Sequence, residues 1–217
     1  MLTNRFVRAD ADGAGDGTTD TNTGANGAFT LNQMVVDINT PRIGYRYFIR
    51  AGDYTQNINT VISADANGVS PNILDGFVTT TGDLYYANRP TGFLNINNYP
   101  IIRYEPNLGL SAASGSFLTI KNVAFSGQRQ DFIAIIGPNT IVENSIFING
   151  SGHSAAGGIS AGGDAGACVI NCDIMNSGTS PGISLRGLGC AAIGNTVISS
   201  GNGMAIRSTV NVTHNTI

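Results

Sequence analysis

Apolar and polar residues alternate in short runs along the C-terminal half of the chain, and the runs return at similar intervals. Five of them, Ile120–Phe125, Val142–Phe147, Val169–Ile174, Ile193–Ile198 and Thr213–Ile217, align on an asparagine. The asparagines are Asn122, Asn144, Asn171, Asn195 and Asn215, at spacings of 22, 27, 24 and 20 residues. Two positions before the asparagine stands an apolar residue in four of the five copies. One position after it stands Val, Ser, Cys or Thr, and three positions after it stand Phe125, Phe147, Ile174 and Ile198. Side chains alternate along a strand, so the second and third of these positions share a face. A period of two, not 3.6, makes these segments strands. The asparagine breaks the alternation. Asn tolerates the left-handed conformation and suits a sharp bend between two strands. Unequal repeat lengths with constant strand patterns predict a solenoid whose loops vary.

Between these segments lie Gly/Ser turns and a further short strand, at Asp131–Ile136, Gly158–Ala161, Gly182–Leu185 and Met204–Arg207. Each rung then holds three strands. The longest turn, Asn149–Ala156, accounts for much of the 27-residue spacing. Near the start, Leu31, Met34, Val35 and Ile38 fall on one face of a helix over about 29–38, with Thr30 placed to cap it. Residues 55–116 are less regular, and Asp65–Asn98, rich in turn formers, reads as a long excursion from the first rungs. The expected organisation is an N-terminal cap over 1–40 and a three-sheet parallel β-helix over 41–217. Ile217 falls inside a strand, so the β-helix is expected to continue beyond it, the alternative being a neighbouring subunit that covers the edge.

Composition supports this picture. The 217 residues include 29 Gly, 12% are charged and 41% are hydrophobic, which suits turn-rich β structure with a core rather than disorder. The net charge is −3 and no Lys/Arg run occurs, which argues against a nucleic-acid or membrane-surface partner. No stretch reaches the roughly 18 apolar residues of a membrane span. The opening residues lack the apolar core of a Sec signal peptide. Cys168, Cys172 and Cys190 lack metal-ligand spacing and read as buried thiols.

The N-terminal third carries Phe6–Ala9, then Gly15-Asp16-Gly17-Thr18, then Ala28–Asp37, and then Tyr47–Tyr54 with an Ala51-Gly52-Asp53-Tyr54 turn. Together with the rungs, these segments resemble the pectate-lyase-like right-handed parallel β-helix superfamily, over nearly the whole chain. The resemblance implies a strand, a Gly-Asp-Gly-Thr loop and a short amphipathic helix that plugs one end of the core. It implies no single function, because this scaffold hosts lyases, hydrolases, epimerases and non-enzymatic virion spikes of the phage tailspike kind.

Candidate chemistry is sparse. Acids in the rungs are Asp131, Glu143, Asp164 and Asp173, with no pair that sequence brings together as a glycosidase needs. Arg186 and Arg207 end equivalent strands one rung apart and form a small basic strip suited to an acidic sugar, with Arg129 or Asp131 nearby; Asp173, Arg186 and Arg207 are the catalytic candidates. Tyr85, Tyr86 and His153 are the carbohydrate-contact candidates, with Tyr104 and His214 as further aromatic and acid–base groups. Asp10, Asp12 and Asp16 offer alternating oxygen ligands for Ca²⁺, although no glutamate closes the set, and otherwise no cofactor is expected. The asparagines form a structural ladder. The reading favours a non-catalytic virion or surface-fibre protein, homotrimeric or joined to other virion or filament subunits, that presents loops to host glycans. A polysaccharide lyase or glycoside hydrolase, and a non-viral filament or adhesin subunit, are the alternatives.

Overall fold

The computed structural model describes residues 1–40, 43–56, 70–84, 93–104, 110–111, 117–127, 132–149, 157–161, 166–199, 203–207 and 211–217. They form a three-sheet parallel β-helix. Sheet A runs β1 (Thr3–Val7), β2 (Tyr45–Arg50), β4 (Asn72–Phe77), β7 (Leu118–Lys121), β10 (Ile141–Glu143), β13 (Cys168–Ile170), β16 (Ala191–Ile193) and β19 (Asn211–Thr213). Sheet B contains β3 (Gly52–Gln56), β5 (Pro100–Tyr104), β8 (Ala124–Gly127), β11 (Ile146–Asn149), β14 (Asp173–Asn176) and β17 (Thr196–Ser199). Sheet C contains β6 (Leu110–Ser111), β9 (Phe132–Ile136), β12 (Gly157–Ala161), β15 (Ile183–Arg186) and β18 (Met204–Arg207). From β6 onward the described strands follow one another from C to A to B in each rung.

Stacked columns of one residue per rung fill the core. In sheet A, Tyr47, Leu74, Ile120, Val142, Val169 and Ala192 lie in register and are each fully buried. In sheet B the column is Tyr54, Ile102, Phe125, Phe147, Ile174 and Val197. The Phe125 and Phe147 rings stack with centroids 5.0 Å apart, so burial and aromatic contact reinforce one register. The inward residue of β17 is Val197, and Ile198 points outward with 53% exposure. This corrects the alignment made on Asn195.

The cause lies at the corners. Asn122, Asn144 and Asn171 adopt the left-handed conformation, with φ of 58°, 47° and 51°. In the next two rungs the residue in that conformation is Gly194 (65°) and then His214 (55°), so Asn195 and Asn215 sit one position further on. They continue the inward column Val123, Ser145, Cys172. There the amides bond along the axis: Asn195 Oδ1 accepts from Cys172 N at 2.9 Å, and Asn215 Oδ1 accepts from Asn195 N at 2.9 Å. Two positions, not one, therefore carry the asparagines.

The C-to-A corner has a second left-handed column, Asn139, Gly166 and Gly189, with φ of 53°, 81° and 74°. The B-to-C corner needs closeness instead. A Cβ on Gly158 would lie 2.5 Å from the Gly182 carbonyl, and one on Gly182 would lie 2.5 Å from Val197 Cγ1. Glycine is required there by contact with the next rung and with the core.

The cap forms as its pattern predicts. Helix α1 (Leu31–Asn39) buries Leu31, Met34, Val35 and Ile38. Thr30 and Gln33 make a reciprocal capping box, and Gln33 Nε2 also donates to the carbonyls of Gly13 and Gly15. Phe29 N donates to the Phe6 carbonyl, Phe6 N to the Gly17 carbonyl and Arg8 N to the Phe29 carbonyl, covering the open edge of β1. Asp20 accepts from Arg50 at 2.8 Å and pairs with Arg8 at 3.4 Å, tying the Gly/Asp loop to the first rung.

Two segments depart from expectation. Only Ala51 turns the first A-to-B corner, because Gly52–Gln56 is already a sheet-B strand. Within Asp65–Asn98, Asn72–Phe77 is a regular sheet-A strand. Its pattern was hidden by Asp75 facing outward and by Gly76, whose backbone lies against the Asn122 carbonyl. The described remainder of that excursion covers the outer face of sheet B: Leu84, Ile96 and Tyr99 pack on Ile101, Ala124 and Ile146.

The corner geometry predicts coupled losses. Gly182→Ala is expected to destabilise by about 1–3 kcal/mol through overpacking. The double variant with Val197→Ala should lose less than the two single changes combined. Gly158→Ala, opposed by backbone, should gain nothing from Val197→Ala. Thermal or urea unfolding of the three single and two double variants checks this, and strict additivity for Gly182 would show that the corner has room.

Candidate functional site

The three outer faces differ in chemistry. On sheet C, β12, β15 and β18 bring Ser160, Ser184 and Ala205 into register, and Arg186 is the register partner of Arg207. Arg186 is exposed, whereas Ser184 is buried at 1%. Neighbouring strands lie about 4.8 Å apart, so the two arginine positions are one rung apart on one face. Alternation along β15 explains the placement: Ile183 and Leu185 enter the core, which leaves Ser184 and Arg186 outside.

Sheet B places its acid elsewhere. Asp173 lies on the outer face in register with Ile146 and Thr196, and only 4% of it is exposed. It continues the row that the excursion covers. The structure thus brings the two arginine positions together but puts Asp173 on a different sheet from them.

Sheet A carries a group that sequence reasoning missed. Asp75, 1% exposed, receives the guanidinium of Arg46 and the ammonium of Lys121, the latter at 3.3 Å, and Asn122 Nδ2 donates to its other oxygen at 2.9 Å. Arg46 also lies over the Phe48 ring, 4.7 Å from its centroid. The three charges come from β2, β4 and β7 and converge only once the rungs are in register. Lys121 directly before the repeat asparagine was the one visible sign of an outward cation.

The N-terminal acids are engaged within their own loop. Asp10 bonds Arg8 at 2.8 Å, and that bond holds its carboxyl below the usual range. Asp12 accepts from the amides of Ala14 and Gly24, and Asp16 accepts from the hydroxyl and amide of Thr18, which lower its pKa. Among the described residues, no three His, Cys, Asp or Glu side chains gather in a way that could hold a metal ion. Tyr85, Tyr86 and His153, with Arg129, Asp131 and Asp164, lie outside the described residues, as do the side chains of Arg207 and Tyr104. His214 occupies the left-handed corner and is exposed. Cys168, Cys172 and Cys190 form no disulfide, and burial raises the pKa of Cys168.

No protein family and no curated protein matches the sequence. Its fold is similar to that of the crystal structure of pectate lyase Pel9A, with a TM-score of 0.55 at 10% identity. The match covers 98% of this chain and 62% of that one, so this chain spans less than two thirds of the lyase's length. The likeness is one of fold.

Asp83 gives a pH prediction. Desolvation pushes its carboxyl up, but the amides of Val78, Thr79 and Thr80, at 2.8, 2.8 and 2.9 Å, together outweigh this and lower its pKa. A lowered folded pKa gives stability that is present above the unfolded value of about 4 and is lost as pH falls through the folded value. The protection of amides 78–80, measured against their intrinsic exchange rates at each pH, should therefore fall in acid. Asp83→Asn should speed exchange there at neutral pH and flatten that acid dependence; an unchanged acid profile in the variant would assign the effect to another carboxylate.

Proposed function

We propose that this chain is a non-catalytic β-helix component of a virion or surface fibre, and that it binds an acidic glycan along sheet C. The observation that carries the reading is the register of Arg186 with Arg207 on sheet C. Guanidinium groups recognise carboxylate and sulfate through paired N–H donors. A row of such positions one strand apart matches a polymer whose acidic groups recur at about the length of one sugar. In the fibre the chain acts as a homotrimer, which light scattering of the purified protein tests by mass.

The fold likeness to a pectate lyase favours a second reading, cleavage of an acidic polysaccharide by elimination. Both readings use the same face and one experiment separates them. The protein is incubated with polygalacturonate, alginate and a neutral glucan, and both retention and unsaturated product are measured. The first reading expects salt-sensitive retention on an acidic polymer, reduced about tenfold or more in Arg186→Ala/Arg207→Ala, with no product. Product formation that disappears in Arg186→Ala would replace it with the lyase reading. Equal retention on the neutral glucan would overturn both.

A further inference from the structure

We infer that Arg46 and Lys121 form a preorganised oxyanion-binding site on the outer face of sheet A, which takes the carboxylate or sulfate group of an acidic sugar. The buried Asp75 carboxylate is its floor. One oxygen of Asp75 accepts from Arg46 Nε at 3.1 Å and receives Lys121, and the other accepts from Asn122. Both oxygens of the carboxylate are thereby engaged, while the two cations keep donors to spare. Arg46 uses Nε and one terminal nitrogen on Asp75, so its other terminal nitrogen makes no bond among the described residues. The Lys121 ammonium has three donors and directs one at Asp75.

The charge balance points the same way. Two cations stand over one acid, so the cluster itself carries one net positive charge. Both cations are partly buried, with side-chain exposures of 28% and 24%, so solvent and salt screen them less than a surface pair. Their geometry is fixed in advance. The Phe48 ring supports the Arg46 guanidinium from one side and Asp75 orients it from another. Fixing both donors on strands removes most of the ordering cost of binding. Glu143 is the opposing group. It is the register neighbour of Lys121 and half-buried, but Lys121 pairs with Asp75 and not with it. Its charge limits affinity and favours a single oxyanion seated toward Arg46.

This site lies on a different sheet from Arg186, so it stands or falls independently of the glycan reading of sheet C. The test titrates the full chain with sodium sulfate, glucuronate, glucose and sodium chloride at constant ionic strength, following the Arg46 Nε–H and Lys121 amide signals by NMR. Arg103, which pairs with the exposed Asp53, serves as the control. Saturable shifts at Arg46 and Lys121 are expected with sulfate or glucuronate, and none with glucose or chloride. Lys121→Gln should weaken binding about tenfold, whereas Lys121→Arg should largely keep it. Shifts that follow chloride equally, that appear alike at Arg103, or that saturate with unchanged affinity in a folded Lys121→Gln protein would overturn the site. Should Lys121→Gln fail to fold, the wild-type titration decides alone, by saturation confined to Arg46 and Lys121 against drift shared with Arg103.

Discussion

Parallel strands stacked about 4.8 Å apart leave each rung no more room than the rung beneath it allows. Straight segments meet this limit easily, since identical inward positions stack as columns. Corners do not, because the chain must change direction within one or two residues while the next rung repeats the turn directly above. The structure meets the limit with left-handed residues at two corners and with side-chain-free contacts at the third. Register, core filling and the chemistry of the outer faces all depend on those corners being aligned.

The same stacking explains why the charged groups fall where they do. Once an inward column is fixed, the alternate residues must face out, and every rung adds one to each outer row. Sheet C gathers serines and arginines, and sheet B gathers apolar residues that the excursion covers. In sheet A the row Phe48, Asp75, Lys121 and Glu143 alternates in charge along its last three members. The buried Asp75 is tolerated because Arg46, Lys121 and Asn122 together replace its lost hydration. It ties the rungs of β2 and β4, which lack the repeat asparagine, to the rung of Asn122, which carries it.

Much of the fold was legible because its signals are local. The period of two, the recurring asparagines at Asn122, Asn144 and Asn171, and the face formed by Leu31, Met34, Val35 and Ile38 each need only neighbouring residues. The alignment failed at Asn195 because Gly194 and His214 can also turn the corner, and asparagine then serves the adjoining inward column. β4 went unseen because Gly76 answers to the carbonyl of Asn122, a residue far along the chain. Of the site residues, Arg186 and Arg207 were found together because they end equivalent strands. Arg46, Asp75 and Lys121 share no sequence pattern, since excursions of unequal length separate their strands.

The amino-acid sequence by itself determined the β-helix class, the capped N-terminal end and which residues face the core in the rungs of Asn122, Asn144 and Asn171, since strand alternation and helix amphipathicity are set by local stereochemistry. Only the tertiary structure decided which outward residues become neighbours. Between parallel rungs, adjacency is a matter of register, and register is fixed by corners and core columns built from residues more than twenty positions apart. That is why the arginine pair on sheet C was visible as a spacing, and why the separation of Asp173 from it and the gathering of cations over Asp75 were not.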